Sequence, residues 1–91
     1  MPVIHLEIVG RVQGVGFRWF IRERARALDL AGWVRNLASG GVEIAAQGSD
    51  DAIAGLIAAV EQGPPGAKVR QVIRREATTL TDFPVPFTVL R

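Results

Sequence analysis

"VIHLEIVGRVQGVGFRWFIRERARAL", residues 3–28, changes period in its middle. In its first part Ile4, Leu6 and Ile8 alternate with His5, Glu7 and Val9, the pattern of a strand with one buried face. From residue 17 onward the apolar positions become Phe17, Phe20, Ile21, Ala25 and Leu28, which share one side of an α-helix. Between the two, GRVQGVGFR (10–18) carries the chain from strand to helix through three glycines and ends on an arginine. A strand passing through glycines into a helix is the first half of a βαβ unit, and the rest of the chain decides which kind.

LAGWVRNL (30–37) predicts a second strand around Trp33, and ASGG (38–41) a turn into a third, GVEIAAQG (41–48), with Val42, Ile44 and Ala46 on one face. SDDAIAGLIAAVEQ (49–62) opens with capping side chains and puts Ile53, Leu56, Ile57 and Val60 on one stripe, a second helix that GPPG (63–66) stops. A fourth strand follows in AKVRQVIRREA (67–77), then a loop in TTLTDFP (78–84), then a short last strand in FTVL (87–90). The order βαββαβ with a small strand appended predicts an α+β fold: a ferredoxin-like sandwich, with two helices on one face of an antiparallel sheet and a short extra C-terminal strand. The 91 residues are expected to form a single domain, 1–91, with no linker and no low-complexity tract.

Composition narrows the chemistry. Hydrophobic residues make up 48% of the chain, yet no apolar run approaches the roughly 18 residues of a membrane span, so a soluble protein that binds no membrane is expected. The opening MPVIHLEIVG has no basic lead and carries Glu7, which is unlike a signal peptide; with the absence of cysteine this points to the cytoplasm. Without cysteine there are no disulfides, thiolate metal sites or thiol nucleophiles. The net charge is only +2, but Arg11, Arg18, Arg22, Arg24 and Arg26 face a single acid, Glu23, across residues 11–26. That field favours an anionic ligand near the glycine loop. For Arg22, Arg24 and Arg26 the simpler reading is a solvated helix face with one Glu23–Arg26 pair.

The loop fails the phosphate-binding motifs it superficially matches. A Walker A loop needs glycine where Val15 stands, a dinucleotide fingerprint begun at Gly14 needs glycine where Trp19 stands, and a phosphocysteine loop needs its nucleophile at Val12. The physics common to all three remains. Gly14 and Gly16 open backbone conformations closed to other residues, so the amides of Gln13, Gly14, Val15, Gly16 and Phe17 can turn inward as an anion-binding nest at a helix N-terminus. Arg18 then supplies a planar fork for two phosphate oxygens. The alternative is a tight connection whose glycines only relieve strain; glycine spacing does not separate the two, and the arginine favours the anion.

GRVQGVGFR and GWVRNLASGGVE (32–43) resemble the two signatures of the acylphosphatase family, and the likeness continues through GPP and the AKV strand over nearly the full chain. The resemblance implies hydrolysis of acyl phosphates to a carboxylate and inorganic phosphate without metal or cofactor. It implies that the loop and Arg18 hold the phosphate while Asn36 orients the attacking water. Ser39 and Gly41 around Gly40 depart from the acidic or larger residues often found in that turn. The expected ligands are a small acyl phosphate and, as product and competitive ligand, inorganic phosphate. A monomer is expected.

The residues taken alone are compatible with this chemistry. An acyl phosphate leaves as a carboxylate and needs no general acid, so positioning and charge stabilisation dominate. The Asn36 amide can accept from a water and donate to an oxygen but is too weak a base to take the proton, which a phosphate oxygen of the substrate would accept; without the second motif, Asn36 reads more readily as a polar side chain near a strand end. His5, the one histidine, is out of register with the apolar face of its strand and is expected to face solvent or an interface. Asp50 and Asp51 read as helix-start carboxylates, not metal ligands. Trp19, Phe20 and Trp33 read as packing, and Lys68, Arg70, Arg74 and Arg75 as a charged sheet surface. RNA-recognition modules share this topology but stack bases on aromatics of the third strand, and GVEIAAQG has none, so no nucleic-acid partner is expected. A catalytically silent anion-sensing domain would keep the nest and do no chemistry.

Overall fold

A computed structural model describes residues 1–90. In chain order the elements are β1 (Val3–Arg11), α1 (Phe17–Ala27), β2 (Ala31–Asn36), β3 (Val42–Gln47), α2 (Asp50–Gln62), β4 (Lys68–Arg75) and β5 (Thr88–Val89). They form one sheet in the order β4-β1-β3-β2-β5. The pairs β1/β3, β1/β4 and β2/β3 are antiparallel, as the split βαβ pattern requires. The appended strand differs: β5 lies parallel to β2, with Trp33 opposite Thr88 and Val34 opposite Val89, and makes the sheet mixed. So short a segment carries no pattern from which its direction could be read; the pairing follows from where the 76–87 connection delivers the chain.

Strand alternation sorts the side chains into two faces. Ile4, Leu6 and Ile8 of β1, Val42, Ile44 and Ala46 of β3 and Val34 of β2 turn to one side and are buried. Over them lie Phe17, Ile21 and Ala25 of α1 and Ile53, Leu56 and Val60 of α2, the stripes expected from the sequence, with Phe87 entering from the segment before β5. Truncating Phe17 or Phe87 to alanine would cost about 3–5 kcal/mol by loss of transfer energy and cavity formation. α2 starts on Ser49, whose Oγ accepts from the Ala52 amide, and ends on Gly63. α1 ends through Asp29 at φ 57, where the Leu30 amide reaches back to the Ala25 carbonyl.

The other face of the sheet has no helix over it. There Glu43 of β3 accepts from His5 Nε2 at 2.5 Å and from Arg35 Nε at 2.6 Å, and Arg75 donates to Glu7 at 2.7 Å. Burial pushes the Glu43 carboxyl up, but the His5 and Arg35 hydrogen bonds and their charges together outweigh it and hold the group below the ordinary carboxylate value. Of the two surroundings expected for His5, solvent or an interface, open water is not found: its side chain is 16% exposed and is taken up by Glu43. β4 is one of the two edge strands, and Lys68, Arg70, Arg74 and Arg75 on it are charges of the kind that discourage pairing with other chains.

Candidate active site

The glycine loop is strung between two fixed points. Val12 and Phe17 are each 1% exposed, so Gln13 to Gly16 must cross between buried anchors just after a register shift at Val9/Gly10 has bent β1. Gly14 and Gly16 both sit at φ 75 with nothing within 4 Å of where a side chain would stand. Glycine is needed there for the backbone angle, not for room. Gly16 is the N-cap of α1; no side chain caps this helix and its first turn holds no acid. Among the described residues, none of the amides from Gly14 to Trp19 donates to a protein acceptor. A row of free N–H groups at the positive end of a helix dipole is a seat for an anion.

Arg18 follows in the first turn of α1, half-buried, with Nη1 donating at 3.3 Å to the Leu90 carbonyl just past β5. This contact is long for a charged donor, and it leaves most of the guanidinium's five N–H groups for another partner. The side chain also forms one end of a cavity of about 330 Å³ along α1 and β5. A cavity of about 400 Å³ lined by Leu30, Val85, Pro86 and Phe87 lies at the opposite end of α1 and contains none of the candidate residues.

Asn36 ends β2. It pairs with Val42, which pairs in turn with Ile8, so it occupies the helix-covered face at the same sheet end from which the glycine loop leaves β1. The residue is exposed, unlike the valines and isoleucines of its row. A second connection ties the two signatures together. The side-chain amide of Gln13 donates to the carbonyls of Leu37 and Gly41, both at 2.8 Å, and so clamps the glycine loop to the β2–β3 turn. That turn closes on itself through Leu37 N to Gly41 O at 2.8 Å, and a side chain at Gly41 would meet the Ile8 carbonyl at 2.5 Å. Gly41 is thus the residue that lets the turn lie against β1.

A family model described as Acylphosphatase matches residues 4–89. The chain belongs to the acylphosphatase family. It is 54% identical over 69 residues to an acylphosphatase of Salinibacter ruber, a match covering 76% of this chain and 73% of that one. It is 41% identical over 91 residues to an acylphosphatase of Methylococcus capsulatus, with 100% and 98% of the two chains covered. The crystal structure of the acylphosphatase from Bacillus subtilis superposes with a TM-score of 0.91 at 37% identity, covering 100% of both chains.

Within this acylphosphatase fold, several side chains near the site do other work than the sequence led one to expect. Glu23 pairs with Arg22 at 2.9 Å and not with Arg26, whose Nε donates to the Phe87 carbonyl at 2.9 Å. Arg26 is held instead by the segment just before β5. Trp33 is packed, at 8% exposure, and Phe20 is half-buried, but Trp19 is 58% exposed and holds the Arg22 guanidinium over its ring at 3.7 Å. Among the described residues no cluster of His, Asp or Glu is arranged to hold a metal, and no helix is long and apolar enough to cross a membrane. The Gln13 clamp is not foreseen in the sequence, where the residue enters only through its backbone amide. Its one legible sign was a long two-donor side chain in a loop of glycines and valines.

Proposed function

We propose that this enzyme hydrolyses acyl phosphates to a carboxylate and inorganic phosphate within one domain, acting as a monomer. The phosphoryl group sits on the amides of Gln13, Gly14, Val15, Gly16 and Phe17, and Arg18 turns its fork from the Leu90 carbonyl to two phosphoryl oxygens. The reading rests chiefly on the open N-terminus of α1, with its unpartnered amides, beside an exposed Asn36 on the same face and end of the sheet.

Asn36 holds the attacking water by its carbonyl oxygen and fixes its own orientation by donating to the phosphoryl group. Water oxygen forms a bond to phosphorus as the bond from phosphorus to the acyl oxygen breaks. The leaving carboxylate keeps that electron pair unprotonated at neutral pH, and the water's proton passes to a phosphoryl oxygen. Charge on the equatorial oxygens is met by the amides and Arg18, the kind of preorganised stabilisation that dominates phosphoryl transfer. Such a mechanism asks for no metal and no protein acid.

Phosphate release from benzoyl phosphate tests this directly. Turnover is expected to be unchanged by EDTA, with glycerol phosphate, whose alkoxide leaving group needs an acid or metal, left essentially untouched. Comparable efficiency on glycerol phosphate, or strict dependence on added Mg²⁺, would refute the mechanism. Binding of inorganic phosphate without any turnover would leave the anion-sensing reading.

A further inference from the structure

The cavity of about 330 Å³ that begins at Arg18 is lined by Trp19, Arg22, Arg26, Thr88 and Val89. Arg18, Arg22 and Arg26 stand at successive i, i+4 positions of α1, with backbone origins about 6 Å apart, and turn one arginine stripe toward β5. Like charges at this spacing destabilise a helix, and no lining residue among those described is acidic. Among the described residues Glu23 is the carboxylate that contacts this stripe; it is 65% exposed and pairs with Arg22 at 2.9 Å, where water screens the pair. Arg26 is tied to the wall by the Phe87 carbonyl. Arg22, in the middle, is held flat on Trp19 and keeps N–H groups free beyond the two directed at Glu23.

We propose that this groove receives the acyl part of the substrate and that Arg22 is a specificity-determining residue which prefers acyl groups carrying a second anion, a carboxylate or a phosphate. The inference rests on the phosphate site proposed above, because Arg18 belongs to both: a phosphoryl group on the loop and Arg18 sends its acyl chain either into open solvent or along this groove. One helical turn further on, a guanidinium preset by an indole meets a distal anion with little loss of side-chain freedom. The substrate class is therefore acyl phosphates with a second acidic group a few bonds from the carbonyl.

The test compares benzoyl phosphate with 3-carboxybenzoyl phosphate, and adds 3-phosphoglyceroyl phosphate to distinguish a distal phosphate from a distal carboxylate. In the wild type, KM is expected to be about fivefold lower for the carboxylated than for the plain benzoyl substrate at similar kcat, a charge-assisted hydrogen bond discounted for partial exposure. R22Q should abolish that difference through KM alone, leave benzoyl phosphate turnover near wild type and leave inhibition by inorganic phosphate unchanged. R22K should retain part of the preference, as charge without the fork. Equal KM values for the two benzoyl substrates in the wild type, or an equal loss on both in R22Q, would overturn the role of Arg22 while leaving the hydrolysis itself standing. No turnover of any of the three would overturn the phosphate site and this inference with it.

Discussion

The two helices of this chain begin in opposite ways. α2 is closed by its own sequence: Ser49 caps the Ala52 amide and Asp50 and Asp51 sit in the first turn, so its free donors and its dipole meet protein groups. α1 begins on Gly16 with no side-chain cap, no acid in its first turn and an arginine at its second position. Helix propensity would improve if α1 were built like α2. The difference leaves one helix N-terminus open to the anion proposed above, at some cost in stability.

Removing the charge at the open end should break the comparison most. Arg18→Ala is expected to lower kcat on benzoyl phosphate on the order of 10²- to 10³-fold and to weaken competitive inhibition by phosphate, with lysine a poor substitute. Asn36→Ala should lower kcat by roughly 10²-fold while phosphate still binds with near wild-type affinity, since its proposed role is with the water. Kinetics of the two variants side by side check this pair. Unaltered turnover in Arg18→Ala, or a matching loss of phosphate affinity in Asn36→Ala, would contradict the assignment.

Loosening the open end without touching its charge should have a smaller effect. Gln13→Ala leaves the Leu37 and Gly41 carbonyls without their side-chain donor and is expected to destabilise the fold by about 1–2 kcal/mol. The larger signature is kinetic, a fall of roughly tenfold in kcat/KM as the loop drifts from the β2–β3 turn. Chemical denaturation and steady-state rates measured on the same preparation would show both; stability loss at full activity would make the clamp purely structural.

Opening the closed end sharpens the contrast from the other side. Ser49→Ala should cost about 1 kcal/mol by denaturation and leave kcat and KM unchanged, because the start of α2 has no part in the proposed site. Activity loss in that variant beyond what unfolding explains would mean the two ends are not functionally separate.

The smallest effect concerns the uncovered sheet face. Glu43 is held below the ordinary carboxylate value in the folded chain, so its contribution to stability is present above that value and is lost as pH falls through the lower, folded one. A Glu43→Gln variant should therefore lose less stability than wild type on acidification through this range, by a fraction of a kcal/mol. Thermal melts across the acidic range decide it; parallel curves for the two proteins would remove Glu43 from the acid response.

Periodicity along the chain was enough to place β1 to β4 and both helices, and with them most of the core, because Ile4, Leu6 and Ile8 or Ile53, Leu56 and Val60 answer to local geometry alone. The glycine loop and its arginine were equally legible, since a left-handed backbone at Gly14 and Gly16 is written in residue type. Tertiary structure alone decided the rest: that β5 runs parallel to β2 and brings Leu90 to Arg18, that Gln13 reaches Leu37 and Gly41, that His5 is spent on Glu43, and that Asn36 shares a face and an end with the loop. Each of these joins residues far apart in the chain. Their meeting depends on strand order and register, which cooperative packing of the whole sheet sets and which no local run of residues encodes.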